Sequence, residues 1–228
     1  MFSIFHLPGP IKVLFSVVVG ICLFPVVKSL GVQPIGDDIL ALMAIKEVAV
    51  GLIMGFVARG LFFSINIAGN LMATAMGLTS AQIFNPSVSS NESTVEFFYV
   101  LIGFLFFLAV NGHHVFISGL ASSFEILSVY KIGINIAAFA DMSHVMTSIF
   151  VAGIQIASPV IVVLFVVNIG MGIIGKAVPQ LNVMVTGMAV NIMAGLGVMI
   201  IGLPLLVPEL QNFFTGMLEN FFGILKVL

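Results

Sequence analysis

Charged residues are so sparse along this chain that they act as punctuation between apolar runs. Runs free of Asp, Glu, Lys and Arg cover 13–27, 60–91, 97–124, 142–175 and 177–208. A helix crossing the hydrocarbon core needs about 20 residues. Several of these runs are too long for one span and too short for two. Residues 97–130 show the difficulty. As one helix they would reach about 50 Å. As a hairpin, each arm would be about 20 Å, short of a core ~30 Å thick. Asn111-Gly112-His113-His114 is the polar break at the tip of that hairpin. Broken or half-length helices persist at membrane depth where protein or a water-filled cavity surrounds them. The pattern therefore points to a subunit enclosed by other subunits.

Other breaks fit. Pro159 falls inside 142–175, Pro179 opens the next run, and Pro204 and Pro208 close it. Helices are expected to kink or end near these positions. Residues 31–38 (GVQPIGDD) read as an exposed turn, and 85–94 (NPSVSSNEST) form the single extended polar stretch, a loop between apolar flanks. Near 209–228, Phe213, Phe214, Met217, Phe221 and Leu225 recur at helical spacing between Glu209, Gln211, Glu219 and Lys226. That is an amphipathic helix for an interface or a partner surface. No internal repeat is evident. Residues 1–228 read as one all-α, polytopic membrane domain of about five to seven helical segments with broken helices and hairpins. The seven Lys and Arg are spread too evenly to assign an orientation.

Composition strengthens the membrane reading. Hydrophobic residues make up 61% and charged ones 7%, against about 25% charged in soluble domains. Mean hydropathy is +1.28. Net charge is −2 with no Lys/Arg cluster, which argues against nucleic acid as a partner. The single cysteine, Cys22, has no partner for an internal disulfide. Residues 11–27 read as a first membrane segment rather than a signal peptide, because Pro25 and Lys28 stand where a cleavage site would be. There is no Trp, two Tyr (Tyr99 and Tyr130) and 22 Phe. Bundles facing lipid usually anchor with Trp and Tyr belts. The imbalance is either an accident of composition or the mark of a subunit surrounded mostly by protein.

Candidate chemistry is thin. His113 and His114 are adjacent, with Glu125, Asp141 and His144 further on, but no His-Glu-x-x-His or Cys-x-x-Cys pattern exists. No metal site is expected, and a polar tip at Asn111, Gly112 and His113 is preferred. Arg59 is the one charge in its apolar block. At a bilayer centre it would cost about 2.5–3.5 kcal/mol, so it either snorkels or serves a subunit contact. Asn66, Asn70, Gln82, Gln155, Asn168, Gln180, Asn182 and Asn191 lie in or beside apolar runs. Hydrogen bonding between helices is the favoured role for most of them, ahead of lining a pathway. Gly51 and Gly55 form a Gly-x-x-x-Gly that chance alone would supply, though small residues let helices pack closely. No nucleophile with a base, phosphate loop or dinucleotide fingerprint is present. Neither an enzyme nor a cofactor is expected.

Four strings carry a family resemblance. Residues 50–78 (VGLIMGFVARGLFFSINIAGNLMATAMGL) run from a Gly-rich helix into an Ala-Gly…Met-Gly-Leu segment, followed by Ser80-Ala81-Gln82-Ile83-Phe84-Asn85-Pro86. Asn111-Gly112-His113 follows, and 158–187 contains Pro159, Asn168, Gly172, Pro179, Gln180, Leu181, Asn182 and Gly187. In this order, over roughly 10–210, the strings resemble the FliR family of the flagellar export gate. Such chains usually carry a further apolar segment before the one at 11–27.

The resemblance implies a non-enzymatic subunit of the bacterial inner membrane, at the centre of the flagellar basal body. There one FliR-type chain would join several FliP and FliQ subunits in a helical ring. FlhB would associate with it, membrane lipid would surround it, and unfolded export substrates would pass through. It implies a plug loop at Ile83, Phe84, Asn85, Pro86, Ser87, Val88, Ser89, Ser90, Asn91, Glu92 and Ser93. Gly51, Gly55, Arg59, Asn66, Asn168, Gly172, Pro179, Gln180, Asn182 and Gly187 would be subunit-packing positions. The injectisome counterparts (the SctT family) share the fold, and the Asn-Gly-His element favours the flagellar side. A small secondary transporter is the alternative, but it would show inverted repeats and charges converging at mid-membrane.

Overall fold

The computed structural model describes residues 8–29, 37–79, 93–126, 137–178, 180 and 182–227. Among these residues the chain is all α-helical, with six helices: α1 (Gly9–Ser29), α2 (Asp37–Ala75), α3 (Thr94–Ala109), α4 (Gly112–Ile126), α5 (Ala137–Ala177) and α6 (Val183–Val227). By length and composition, Ala41–Ala75, Met142–Ala177 and Val185–Ile224 can each cross a membrane. Thr94–Ala109 with Gly112–Phe124 makes a fourth candidate, a pair bent by 66°. The break falls where the Asn-Gly-His element predicts one, as a bend rather than the full reversal of a hairpin.

The long helices are apolar all round, so burial rather than polarity distinguishes their faces. On α2 the buried stripe is Met43, Val50, Met54, Val57, Leu61, Ile65, Ala68 and Met72, a spacing of three and four that keeps one face inward. Lys46 is a charge buried within it. The opposite face, with Ile45, Val48 and Leu52, is exposed and equally apolar. Water would not tolerate such a surface, but lipid or a neighbouring subunit would. On α5, Val145, Ile149, Ala152, Ile156, Val160 and Leu164 form the corresponding buried stripe.

Pro159, Pro204 and Pro208 lie inside uninterrupted helices, so none of them ends its helix as the sequence would allow. At Pro159 the reason is local. Proline has no N–H for the carbonyl four residues earlier, that of Gln155. The Ser158 hydroxyl donates to that carbonyl instead, at 2.8 Å. Residues 209–227 are the last part of α6. Along it Leu210, Phe214, Met217, Phe221 and Ile224 are buried, while Gln211 and Glu219 are exposed.

The chain divides into two compact units. The first comprises Met1–Gly60, Phe107–Met146 and Gly216–Leu228. Its interior is aromatic: Phe107 stacks on Phe116 with centroids 5.8 Å apart, and Phe116 meets Phe221 edge-on at 5.5 Å. The second comprises Leu61–Phe106 and Thr147–Thr215. In it α2 meets α3 at Gly69 and α5 at Gly153, and Phe63 meets Phe150 edge-on at 6.4 Å. Also in the second unit, α5 meets α6 where Gly175 faces Val183 and where the Asn191 amide donates to Asn168 Oδ1 at 2.9 Å.

Candidate functional site

The polar loop is the candidate site. Residues 80–92, and with them Ile83 to Glu92, lie outside the described residues; Ser93 and both anchors lie within them. Each anchor is a specific helix-end structure. At the C-terminus of α2, the Leu78 N–H donates to the Ala73 carbonyl and the Gly77 N–H to the Thr74 carbonyl, both at 3.0 Å. These are the paired bonds of a Schellman cap. Such a cap needs a left-handed residue, and Gly77 supplies it with φ of 81°. The helix therefore stops at one position.

Ser93 opens α3. Its carbonyl accepts from the Phe97 N–H at 2.9 Å, and Glu96 stands three residues on, the spacing of a capping box. The Glu96 charge also suits the positive end of the helix dipole. Both residues are buried. The two anchoring helices touch through their backbones: a Cβ on Gly69 would lie 2.5 Å from the Glu96 Cα. The described residues on either side of 80–92 thus belong to two helices in contact.

At the break between α3 and α4, Asn111 adopts φ of 55°. Asparagine tolerates this left-handed conformation better than most residues. Its N–H donates to the Leu108 carbonyl at 3.0 Å, and its own carbonyl accepts from His114 N–H at 2.9 Å. One residue thus ends α3 and starts α4. Gly112 is buried against the Phe107 ring, where a Cβ would approach to 2.5 Å. His113 Nδ1 is buried without a hydrogen-bond partner among the described residues, and the His113 and His114 rings lie 4.4 Å apart. Among the described residues, no three His, Cys, Asp or Glu side chains converge as metal ligands.

The expected packing positions have differing local surroundings. Gly51, Gly55 and Arg59 lie on the exposed face of α2, where added Cβ atoms at the two glycines would meet open space. Gly172 is equally open on α5. Asn66 is partly buried, and its Oδ1 has no partner among the described residues. Asn168 pairs within the chain with Asn191. Asn182 is the N-cap of α6, with its Oδ1 accepting from the Val185 N–H at 3.4 Å. Gly187 is buried but has room, because an added Cβ would lie 4.0 Å from Met171. Gln180 is exposed in the turn, and Pro179 lies outside the described residues.

Gly69, Gly77, Glu96 and Ser158 were not among the expected site positions. Three had a legible signal: Gly77 after an apolar run, Ser-x-x-Glu at 93–96, and a hydroxyl beside Pro159.

The bacterial export protein family 1 model matches residues 1–217. The chain is 28% identical over 198 residues to the flagellar biosynthetic protein FliR of Bacillus subtilis, covering 84% of this chain and 75% of that one. It is 30% identical over 186 residues to the FliR of Pectobacterium carotovorum, covering 82% and 71%. The chain belongs to the FliR family of bacterial export proteins. In this FliR-family chain, the Ala68-Gly69 and Met76-Gly77-Leu78 string has a physical meaning. Gly69 lets α3 approach, and Gly77 ends α2 at the loop.

Proposed function

We propose that this chain is a structural subunit of the flagellar protein-export gate in the bacterial inner membrane, and that the loop at 83–93 closes the path taken by unfolded substrates. The observation that carries the reading is the anchoring of that loop. A Schellman cap ends α2 on one side, the Ser93 carbonyl accepts the first bond of α3 on the other, and the helices behind them are in backbone contact at Gly69 and Glu96. Supports of this kind need not unfold for a path beside them to open or close. The kinship with FliR proteins supports the flagellar assignment. The exposed apolar face of α2 supports burial among neighbours, for which FliP-type, FliQ-type and FlhB-type subunits at the flagellar basal body are the proposed partners.

Co-purification tests this. Tagged chain extracted in mild detergent from cells expressing its neighbours should emerge in one large complex with two further small apolar proteins. Recovery as a lone monomer or homodimer would sink the reading.

A further inference from the structure

Three polar side chains from three helices of the second unit line one cleft of about 130 Å³: Tyr99 of α3, Gln155 of α5 and Glu209 of α6, with Pro159 and Gly202 among its walls. Among the described residues none of the three side chains has a hydrogen-bond or ion-pair partner. Glu209 is half-buried and lies inside the candidate span Val185–Ile224, 15 residues before its end, about 20 Å of helix. Gln155 lies about as deep in its own span, 13 residues past Met142. A carboxylate so far from the helix ends is costly, and such groups are kept where something pairs with them.

The second unit does not supply the missing charge. Lys176 is the only Lys, Arg or His in its sequence. It stands 21 residues beyond Gln155 on α5, a rise of about 30 Å. The same place also needs an apolar cover. Leu205 in the lining and Ile201 beside Gly202 are strongly exposed. A Cβ on Gly202 would meet open space, so another helix can come close there. A soluble cation would neutralise Glu209 and leave that surface bare. A helix that carries a cation meets both demands. A cavity of ~150 Å³ holds one benzene, so the cleft takes the end of one side chain.

We propose that this cleft receives a lysine side chain from a helix of a neighbouring subunit, an inference that rests on the export-gate reading above. A lysine ammonium carries three N–H donors and one positive charge on a slender stem. The Glu209 carboxylate, the Gln155 carbonyl oxygen and the Tyr99 phenol oxygen answer with three acceptor groups and one negative charge. An arginine guanidinium brings five donors in one plane, more than the cleft has groups to accept. Tyr99 is 5% exposed, so its ring is held in place as one wall of the socket.

The test uses the full chain with the subunits that co-purify in mild detergent. A carbodiimide joins a carboxylate to a primary amine where the two are in contact, and mass spectrometry of the digest identifies the joined peptides. The expected product is the Glu209 peptide joined to one lysine of a co-purifying subunit. An intact complex in which Glu209 stays unjoined, or joins the amine of phosphatidylethanolamine, overturns the proposal and leaves the export-gate reading standing. Recovery of the chain alone removes both. A second readout is complex yield. Glu209→Gln removes a charge that has no partner within the described chain, so the amount of chain in the membrane should hold while the yield of complex falls about tenfold or more. An unchanged yield overturns the proposal. Replacing the cross-linked lysine by Met should lower the yield as much, and both changes together little further, because they remove one interaction. Losses that multiply would sink it too.

Discussion

Two residue-scale contacts decide how the helices meet and continue. At Gly69 the neighbouring atom is a backbone Cα, that of Glu96, which cannot rotate aside as a side chain can. Gly69→Ala should therefore push α3 away and cost about 2 kcal/mol, within the range for overpacked cores. Unfolding in mixed detergent micelles would show it, and an unchanged midpoint would mean that the crossing is looser than described. Ser158 acts differently. Its hydroxyl serves the carbonyl that Pro159 leaves without a donor, on an exposed stretch where lipid offers no substitute. Ser158→Ala should cost about 1 kcal/mol. In a Pro159→Ala background, where the restored backbone N–H serves the same carbonyl, the loss should nearly vanish. A double-mutant cycle reads that coupling, and strict additivity would refute it.

Among the elements, α2 and α3 matter most, because they hold the loop. Their caps are independent of the loop's own residues: the Schellman bonds use Ala73, Thr74, Gly77 and Leu78, and the α3 start uses Ser93 and Phe97. Removing residues 86–90 should therefore leave membrane insertion and complex yield unchanged. If the loop is the closure, the same deletion should make cells leak small ions or dyes when the complex is assembled. Loss of assembly in that variant would show that the loop holds subunits together instead. The α5–α6 pair follows another logic. Its two helices share the Asn168–Asn191 hydrogen bond, so amides that a sequence offers equally to subunit packing are committed here within one chain.

For the molecule as a whole, the exposed apolar surface is the dominant fact. Ile201 and Met193 are each 77% exposed on α6, and Ile45 is 70% exposed on α2. These values are normal for groups bathed in lipid or covered by neighbours, and costly in water. The length and apolar character of α2, α5 and α6 therefore make membrane residence a property of the entire chain, and the family membership makes it an export protein.

The pattern of apolar runs was enough to determine an all-helical membrane protein, because too few charges exist for any soluble alternative. The motifs determined the family, and Asn111 marked the break between α3 and α4 through its tolerance of the left-handed conformation. Pairing was beyond the sequence. That α5 runs on through Pro159, with the Ser158 hydroxyl serving the Gln155 carbonyl, is seen only in the folded chain. Whether Asn168 faces its own hairpin or a neighbour depended on how α6 packs against α5. The Tyr99–Gln155–Glu209 cleft brings together residues far apart in the chain. In helices apolar on every side, periodicity names no inward face, so tertiary packing alone chose which glycines are crowded and which polar groups meet.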